Sequence, residues 1–204
     1  MTAFEIIVIV LVGVIGYLLG SANSSLIVGK FYGVDVREHG SGNAGATNTL
    51  RTMGKSAALF ATIGDILKGI IACLIGRLIA GELGLMTAGI AAILGHNWPV
   101  YFKFKGGKGV LTSLAVVIMM DRKLALILLV SFIIIVALTR YVSLGSVIAS
   151  SLFPISAVIT GKSSEFIVFA IILAELVIIR HCANLDRLFK GTESKFRKKK
   201  QLAN

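Results

Sequence analysis

The chain carries 204 residues, 56% of them hydrophobic and 15% charged, with a formal net charge of +11. A mean hydropathy of +0.89 exceeds that of soluble domains and makes the lipid bilayer the expected solvent, while two prolines are too few for a disordered or linker-rich chain. The basic residues flank apolar runs instead of covering a polar domain, so membrane orientation explains them and no nucleic-acid partner is expected.

A helix crossing a hydrocarbon core about 30 Å thick needs about 20 apolar residues. The first candidate span, 4–27, has no basic segment before it and no cleavage-like site after it, so it reads as a retained helix rather than a signal peptide. A polar loop follows, Gly40-Ser-Gly-Asn-Ala-Gly-Ala-Thr-Asn-Thr-Leu-Arg51. Spans 56–80 and 84–102 come next, separated only by Gly81 to Leu83, which demands a tight turn. Asp65 and Lys68 share one face of span 56–80 at i and i+3; ionisable groups at that depth are costly, and a structural ion pair is expected. A second basic, glycine-rich segment, Phe104-Lys-Gly-Gly-Lys-Gly109, leads into span 109–121, which is short enough to be a half-helix. Spans 123–139, 142–160 and 164–181 complete the set, the last with Glu175 inside it, expected to face Lys68 or a polar cavity. Cys73 and Cys182 have no metal or redox spacing, and no disulfide is expected.

Charge orients the seven spans. With the N-terminus outside, 16 Lys and Arg fall in inner segments and only Arg77, Arg122, Lys123 and Lys162 outside, so the positive-inside rule favours N-out, C-in. The expected fold is therefore an all-α polytopic membrane protein, one domain over 1–204, with both glycine-rich loops and a basic tail at 190–204 on the cytoplasmic face. That tail suits anionic headgroups.

Gly40, Gly42 and Gly45 reproduce the spacing of a dinucleotide fingerprint, but no strand precedes them and the acidic residue twenty positions on, Asp65, lies inside a span. What remains is a set of convergent backbone N–H groups, the uncharged donors Ser41, Asn43, Thr47 and Asn48, and the Arg51 fork, all suited to phosphate. The bland alternative is a turn whose polar residues cap a helix starting near Ala46. The second segment is not a Walker A motif, since Gly109 follows Lys108 where Ser or Thr is required. Gly106 and Gly107 can present N–H groups to an oxyanion with Lys108 as a point charge, or the lysines simply mark the inner face. His96 reads as an interface residue or a catalyst, and His181 as a helix-end residue or a catalyst.

Three stretches, Gly40 to Asn48 with Arg51, Gly95-His-Asn-Trp-Pro through Gly109, and Arg180-His-Cys-Ala-Asn184 through Arg187 to Gly191-Thr-Glu193, together resemble the bacterial acyl-phosphate:glycerol-3-phosphate acyltransferases, the PlsY family. The resemblance implies a monomeric seven-helix enzyme of the bacterial cytoplasmic membrane that makes lysophosphatidic acid and phosphate from acyl phosphate and glycerol 3-phosphate, without cofactor or metal. It implies a catalytic set of Lys108, His181, Asn184, Gly106 and Gly107. Substrate contacts would be Ser41, Asn43, Thr47, Asn48, Arg51, His96, Ser143 and Glu193. One departure is Gly20-Ser-Ala-Asn-Ser-Ser25, where family members often carry a proline, which leaves the kink there open. His181 to Asp186 also matches the H-x4-D pattern of acyl-CoA-type acyltransferases, a coincidence on this reading. The rival class is a small transporter of a phosphorylated solute, supported by the buried Asp65, Lys68 and Glu175.

Overall fold

A computed structural model describes residues 1–196; of the basic tail at 190–204 assigned above to lipid headgroups, 197–204 lie outside the described residues. Among the described residues every regular element is helical, and the chain divides into two compact units, Met1–Ala125 and Leu126–Asn204. The stretches Ala3–Phe31, Ala46–Phe102, Arg122–Thr139 and Val142–Ile159 are long and apolar enough to cross a bilayer, and the pair Ser164–Ile179 with Cys182–Phe189, bent by 58°, is a candidate fifth.

The first unit opens with α1 (Ala3–Ser21), whose N-terminus is closed by a reciprocal Thr2–Glu5 capping box. The expected span 4–27 is not continuous. The Asn23 side chain accepts from the Leu26 N–H and starts a new helix, α2 (Ser24–Phe31), so an asparagine cap makes the break without any proline. A short 3-10 turn, Val36–Glu38, leads to the first glycine-rich loop and then to α3 (Ala46–Asn97).

Lys68 and His96 are 28 residues apart and would stand about 42 Å apart on a straight α-helix, yet their side chains meet at 2.8 Å. Thus α3 doubles back on itself. The reversal lies at Ala80 and Gly81, where Gly81 takes φ +60, a backbone state that side chains resist. This is the tight turn anticipated at 81–83. The two arms touch where Gly76 faces Gly84, each leaving no room for a Cβ against the other's carbonyl. The second arm ends at Asn97 rather than at 102, because Pro99 cannot donate to a continuing helix; Val100–Phe102 is a 3-10 turn. After the second glycine-rich loop, α4 (Val110–Met120) is as short as anticipated, about 16 Å long.

Small residues hold α1 against α3. Gly16 lies on the Ala88 backbone and Gly20 on the Ala92 backbone, around a core of Val12, Ala72, Ala88 and Ala92. Lipid offers little hydrophobic drive between helices, so such backbone-to-backbone van der Waals packing carries the association.

In the second unit, α5 (Arg122–Thr139), α6 (Val142–Ile159) and α7 (Ser164–Ile179) are apolar helices, and α8 (Cys182–Phe189) follows the bend at Arg180 and His181. Phe153, Phe166 and Phe169 pack edge to face with centroids 5.8 to 6.3 Å apart, pinning α6 to α7. Gly145 lets α6 approach Phe132 and Val136 of α5. Cys73 and Cys182 are free thiols.

The glycine seam makes a prediction. A Cβ at Gly20 would overlap the Ala92 carbonyl oxygen, so Gly20→Ala should cost about 1–3 kcal/mol as overpacking and lower the thermal midpoint in detergent. Gly13→Ala on the same helix, whose nearest neighbour would be 3.6 Å away, should leave the midpoint unchanged or slightly raised.

Candidate functional site

The first glycine-rich loop is shaped from below by one side chain. Asn48, in the first turn of α3 and buried, accepts the Ser41 N–H at 2.8 Å and donates to the carbonyls of Val36 at 2.8 Å and His39 at 2.9 Å. Both of its N–H bonds are thereby spent on backbone carbonyls, so Asn48 braces the loop from within. Gly40 and Gly42, at φ +62 and +71, supply the left-handed turns over it. Asn23, reaching from the α1–α2 break, donates to the Ala44 carbonyl at 3.2 Å and ties down the other side of the loop.

What the brace leaves outward matters chemically. Ser41 and Arg51 are exposed, Asn43 and Thr47 half-exposed, and among the described residues none of these four side chains has a hydrogen-bond or ionic partner. The N-terminus of α3 starts at Ala46 as anticipated, behind Gly45, and no side chain caps it. Donors, a guanidinium and the positive end of a helix dipole thus occur within one short stretch of chain, the chemistry an anion requires.

The second loop follows Lys103 and Phe104, which both adopt left-handed backbone, φ +55 and +58, stabilised by the Phe104 N–H on the Pro99 carbonyl. Gly107 then donates its N–H to the His96 carbonyl at 3.1 Å. A Cβ on Gly106 would overlap that same carbonyl oxygen, and one on Gly107 would collide with the His96 ring nitrogen Nε2 and the Ala44 carbonyl. Sequence reasoning placed both glycines as oxyanion donors; in the structure the Gly107 amide is committed to protein, and the glycines are required by space. Lys108, half-buried, leads through Gly109 at φ +74 into α4.

Arg37 joins the two loops, and sequence reading counted it only as an inner cation. It grips Asp35 at 2.6 Å and donates to the carbonyls of Phe102 at 3.2 Å and Lys105 at 3.4 Å. The Arg37 hydrogen bonds hold the Asp35 carboxyl below its ordinary range, and Asp35 in turn raises the guanidinium. The signal was the Asp-x-Arg spacing in an otherwise weakly charged loop. Beneath the loops, Asp65 and Lys68 form the expected ion pair at 2.9 Å, with His96 buried beside them. Glu175, for which Lys68 or a cavity was offered as partner, is exposed on α7.

In the second unit a carboxylate is the hub. Glu193, half-buried, accepts from Ser143 Oγ at 2.7 Å, Asn184 Nδ2 at 2.6 Å and Arg187 Nε at 2.7 Å. A carboxylate held by three donors anchors this segment, so Glu193 organises Ser143, Asn184 and Arg187 around itself. The Ser143 hydroxyl proton and an Asn184 N–H are turned toward it. His181 is buried with Nδ1 2.7 Å from the Val177 carbonyl. A carbonyl only accepts, so Nδ1 carries the proton and Nε2 holds the lone pair of the neutral ring. Asp186 pairs with Lys190 at 2.9 Å on an exposed surface, so the H-x4-D pattern does not form a dyad. Among the described residues no group of three His, Cys, Asp or Glu is arranged to hold a metal ion.

The Glu193 hub has a pH signature. Burial pushes its carboxyl up, but the hydrogen bonds from Asn184, Ser143 and Arg187 outweigh burial and hold it below its ordinary value of 4.5. A depressed folded value means the contribution is complete above the unfolded value and is lost as pH falls through the folded one. The thermal midpoint of the wild type should therefore fall more steeply than that of Glu193→Gln below pH 4.5, with the gap between them closing. For the first loop, Asn48→Ala removes three hydrogen bonds worth about 0.5–1.5 kcal/mol each, and amide exchange over 36–48 should accelerate while that of α1 is unchanged.

The sequence profile of glycerol-3-phosphate acyltransferases matches residues 10–191, through both units. The glycerol-3-phosphate acyltransferase of Thermoanaerobacter sp. (strain X514) is 46% identical over 194 residues, covering 95% of this chain and 98% of its own. That of Clostridioides difficile (strain 630) is 44% identical over 204 residues, covering 97% and 100%. Among solved structures, the glycerol 3-phosphate form of PlsY, an integral membrane glycerol 3-phosphate acyltransferase, superposes with a TM-score of 0.88 at 38% identity over 93% of this chain and 96% of that one. Its lysophosphatidic acid form gives 0.86 at 37% identity, over 93% and 95%. With an all-helical apolar fold and a profile match over almost its whole length, the chain belongs to the glycerol-3-phosphate acyltransferase family of integral membrane enzymes, the PlsY family.

Proposed function

We propose that the protein transfers an acyl group from acyl phosphate to glycerol 3-phosphate, giving lysophosphatidic acid and inorganic phosphate on the cytoplasmic side of a bacterial cytoplasmic membrane. The reading includes a single-domain monomer with seven spans, N-out and C-in, and no cofactor. One observation carries it: among the described residues Ser41, Asn43, Thr47 and Arg51 have no side-chain partner in the loop and first turns at the uncapped N-terminus of α3, and a similar solved structure of the family is a glycerol 3-phosphate form. The doubling back of α3 supports counting it as two spans.

In the reaction the glycerol hydroxyl oxygen bonds to the acyl carbon, the carbon–oxygen bond to phosphate breaks, and the hydroxyl proton passes to a base. Acyl phosphate is already activated, so no covalent enzyme intermediate is needed. The protein's task is to position two anions and to balance charge growing on the carbonyl oxygen and the departing phosphate. Arg51, Ser41, Asn43 and Thr47 serve the acceptor's phosphate, and Lys108 serves the transferring centre. The proton goes to His181, whose Nε2 is the accepting nitrogen, or to a phosphate oxygen of the substrate itself.

Purified protein supplied with palmitoyl phosphate and glycerol 3-phosphate should release inorganic phosphate and form lysophosphatidic acid, and palmitoyl-CoA should not replace the donor. No acyl product, with uptake of glycerol 3-phosphate into vesicles, would return the reading to a transporter. Arg51→Ala removes a charged hydrogen bond worth about 1.5–3 kcal/mol, so KM for glycerol 3-phosphate should rise about 10–100-fold. If His181 is the base, His181→Ala lowers kcat by about 10²–10⁴-fold with binding retained; a smaller loss assigns the proton to the phosphate.

A further inference from the structure

The buried charges beneath the loops constrain the chemistry of His96. Lys68 Nζ lies 2.8 Å from His96 Nδ1, 3.3 Å from the Ala22 carbonyl and 2.9 Å from Asp65 Oδ1. The Asp65 side chain is 2% exposed, that of Lys68 7% and that of His96 4%, so water does not mediate these contacts. With a carboxylate at 2.9 Å the lysine is an ammonium, which has three donors and no lone pair. Its contact with Nδ1 therefore requires the lone pair to be on Nδ1. The other neighbour of Nδ1, Asp65 Oδ1, is 3.4 Å away, well beyond the 2.8 Å contact with the ammonium, so the shorter contact sets which nitrogen carries the lone pair. Asp65 acts by charge, holding the ammonium in place.

We infer that Asp65 and Lys68 are positioning residues that lock His96 as the Nε2–H tautomer, a hydrogen-bond donor aimed at the loop that carries Lys108, and so exclude His96 as the general base. The ring's Nε2 faces Gly107, where a Cβ would collide with it, and the His96 carbonyl already holds the Gly107 amide. The loop is gripped by both the backbone and the ring of one residue whose orientation Lys68 sets. The same ammonium binds Ala22 at the α1–α2 break, and the next residue, Asn23, holds Ala44 of the first loop. One buried cation thus references both glycine-rich loops. His181 is held the opposite way, with Nδ1 protonated against Val177.

The inference rests on the proposed acyl transfer only for its catalytic consequence; the tautomer is independent of it. The chain has three histidines, so nitrogen-15 spectra of histidine-labelled protein in detergent resolve each ring. At neutral pH His96 should show protonated Nε2 and bare Nδ1, and Lys68→Met should shift it toward a mixture of tautomers. Protonated Nδ1 in the wild type, or an unchanged signature in Lys68→Met, overturns the inference. Should Lys68→Met fail to fold, the wild-type spectrum still decides, together with His96→Gln. Its amide offers both an acceptor and a donor but no base, so phosphate release should exceed that of His96→Ala by at least tenfold. Equal loss in both, at the roughly 10²–10⁴-fold expected of a missing base, overturns it. Absence of acyl transfer in the wild type would instead refute the proposed function and leave the spectra to judge the tautomer.

Discussion

A single ammonium group in an apolar interior governs the arrangement of the first unit. Lys68 is buried among helices whose outer faces are lipid-grade, and a charge there persists only if its counter-ion and acceptors are built in. Asp65 supplies the charge, and Ala22 and His96 supply the acceptors. Those partners come from a broken helix end and from the far arm of a helix that reverses at Gly81. Satisfying one cation therefore sets the break after α1, the hairpin of α3 and the root of the second loop together.

Glycine plays two different parts around this centre. At Gly40, Gly42 and Gly81 the backbone takes a left-handed state that a side chain would strain. At Gly16, Gly20, Gly106 and Gly107 the backbone is ordinary, and what forbids a side chain is a neighbouring backbone or ring. Loops built this way are stiff. Their glycines remove volume so that the loop can seat against His96 and Ala44, which suits a site that must present donors to an anion without reorganising.

Much of this was legible in the sequence. Apolar length gave most helices, the reversal near Gly81, the short α4, the start of α3 at Ala46 and the Asp65–Lys68 pair. Helix ends were harder: Asn23 reads as one polar residue in an apolar run until its side chain is seen to cap Leu26, and Pro99 stops a helix that hydropathy alone would continue to Phe102. Within the site, residue type pointed to anion chemistry but could not separate ligand from brace. Asn48 and Thr47 are neighbours with similar donors, and only the turn of the helix decides that Asn48 faces Val36 and His39 while Thr47 faces out. The bridging roles of Glu193 and Arg37 were not legible for the same reason, since their partners at Ser143 and at Phe102 are 50 and 65 residues away.

Both glycine-rich loops are held in place before any substrate arrives. Hydrogen exchange of the purified protein without ligand, resolved at Ser41 and Gly107, tests this most directly, because those amides are committed to Asn48 and to the His96 carbonyl. Both should exchange far more slowly than an unstructured loop, with little further protection on adding glycerol 3-phosphate. Exchange at unstructured rates in the free protein, with protection appearing only when glycerol 3-phosphate is present, would contradict it.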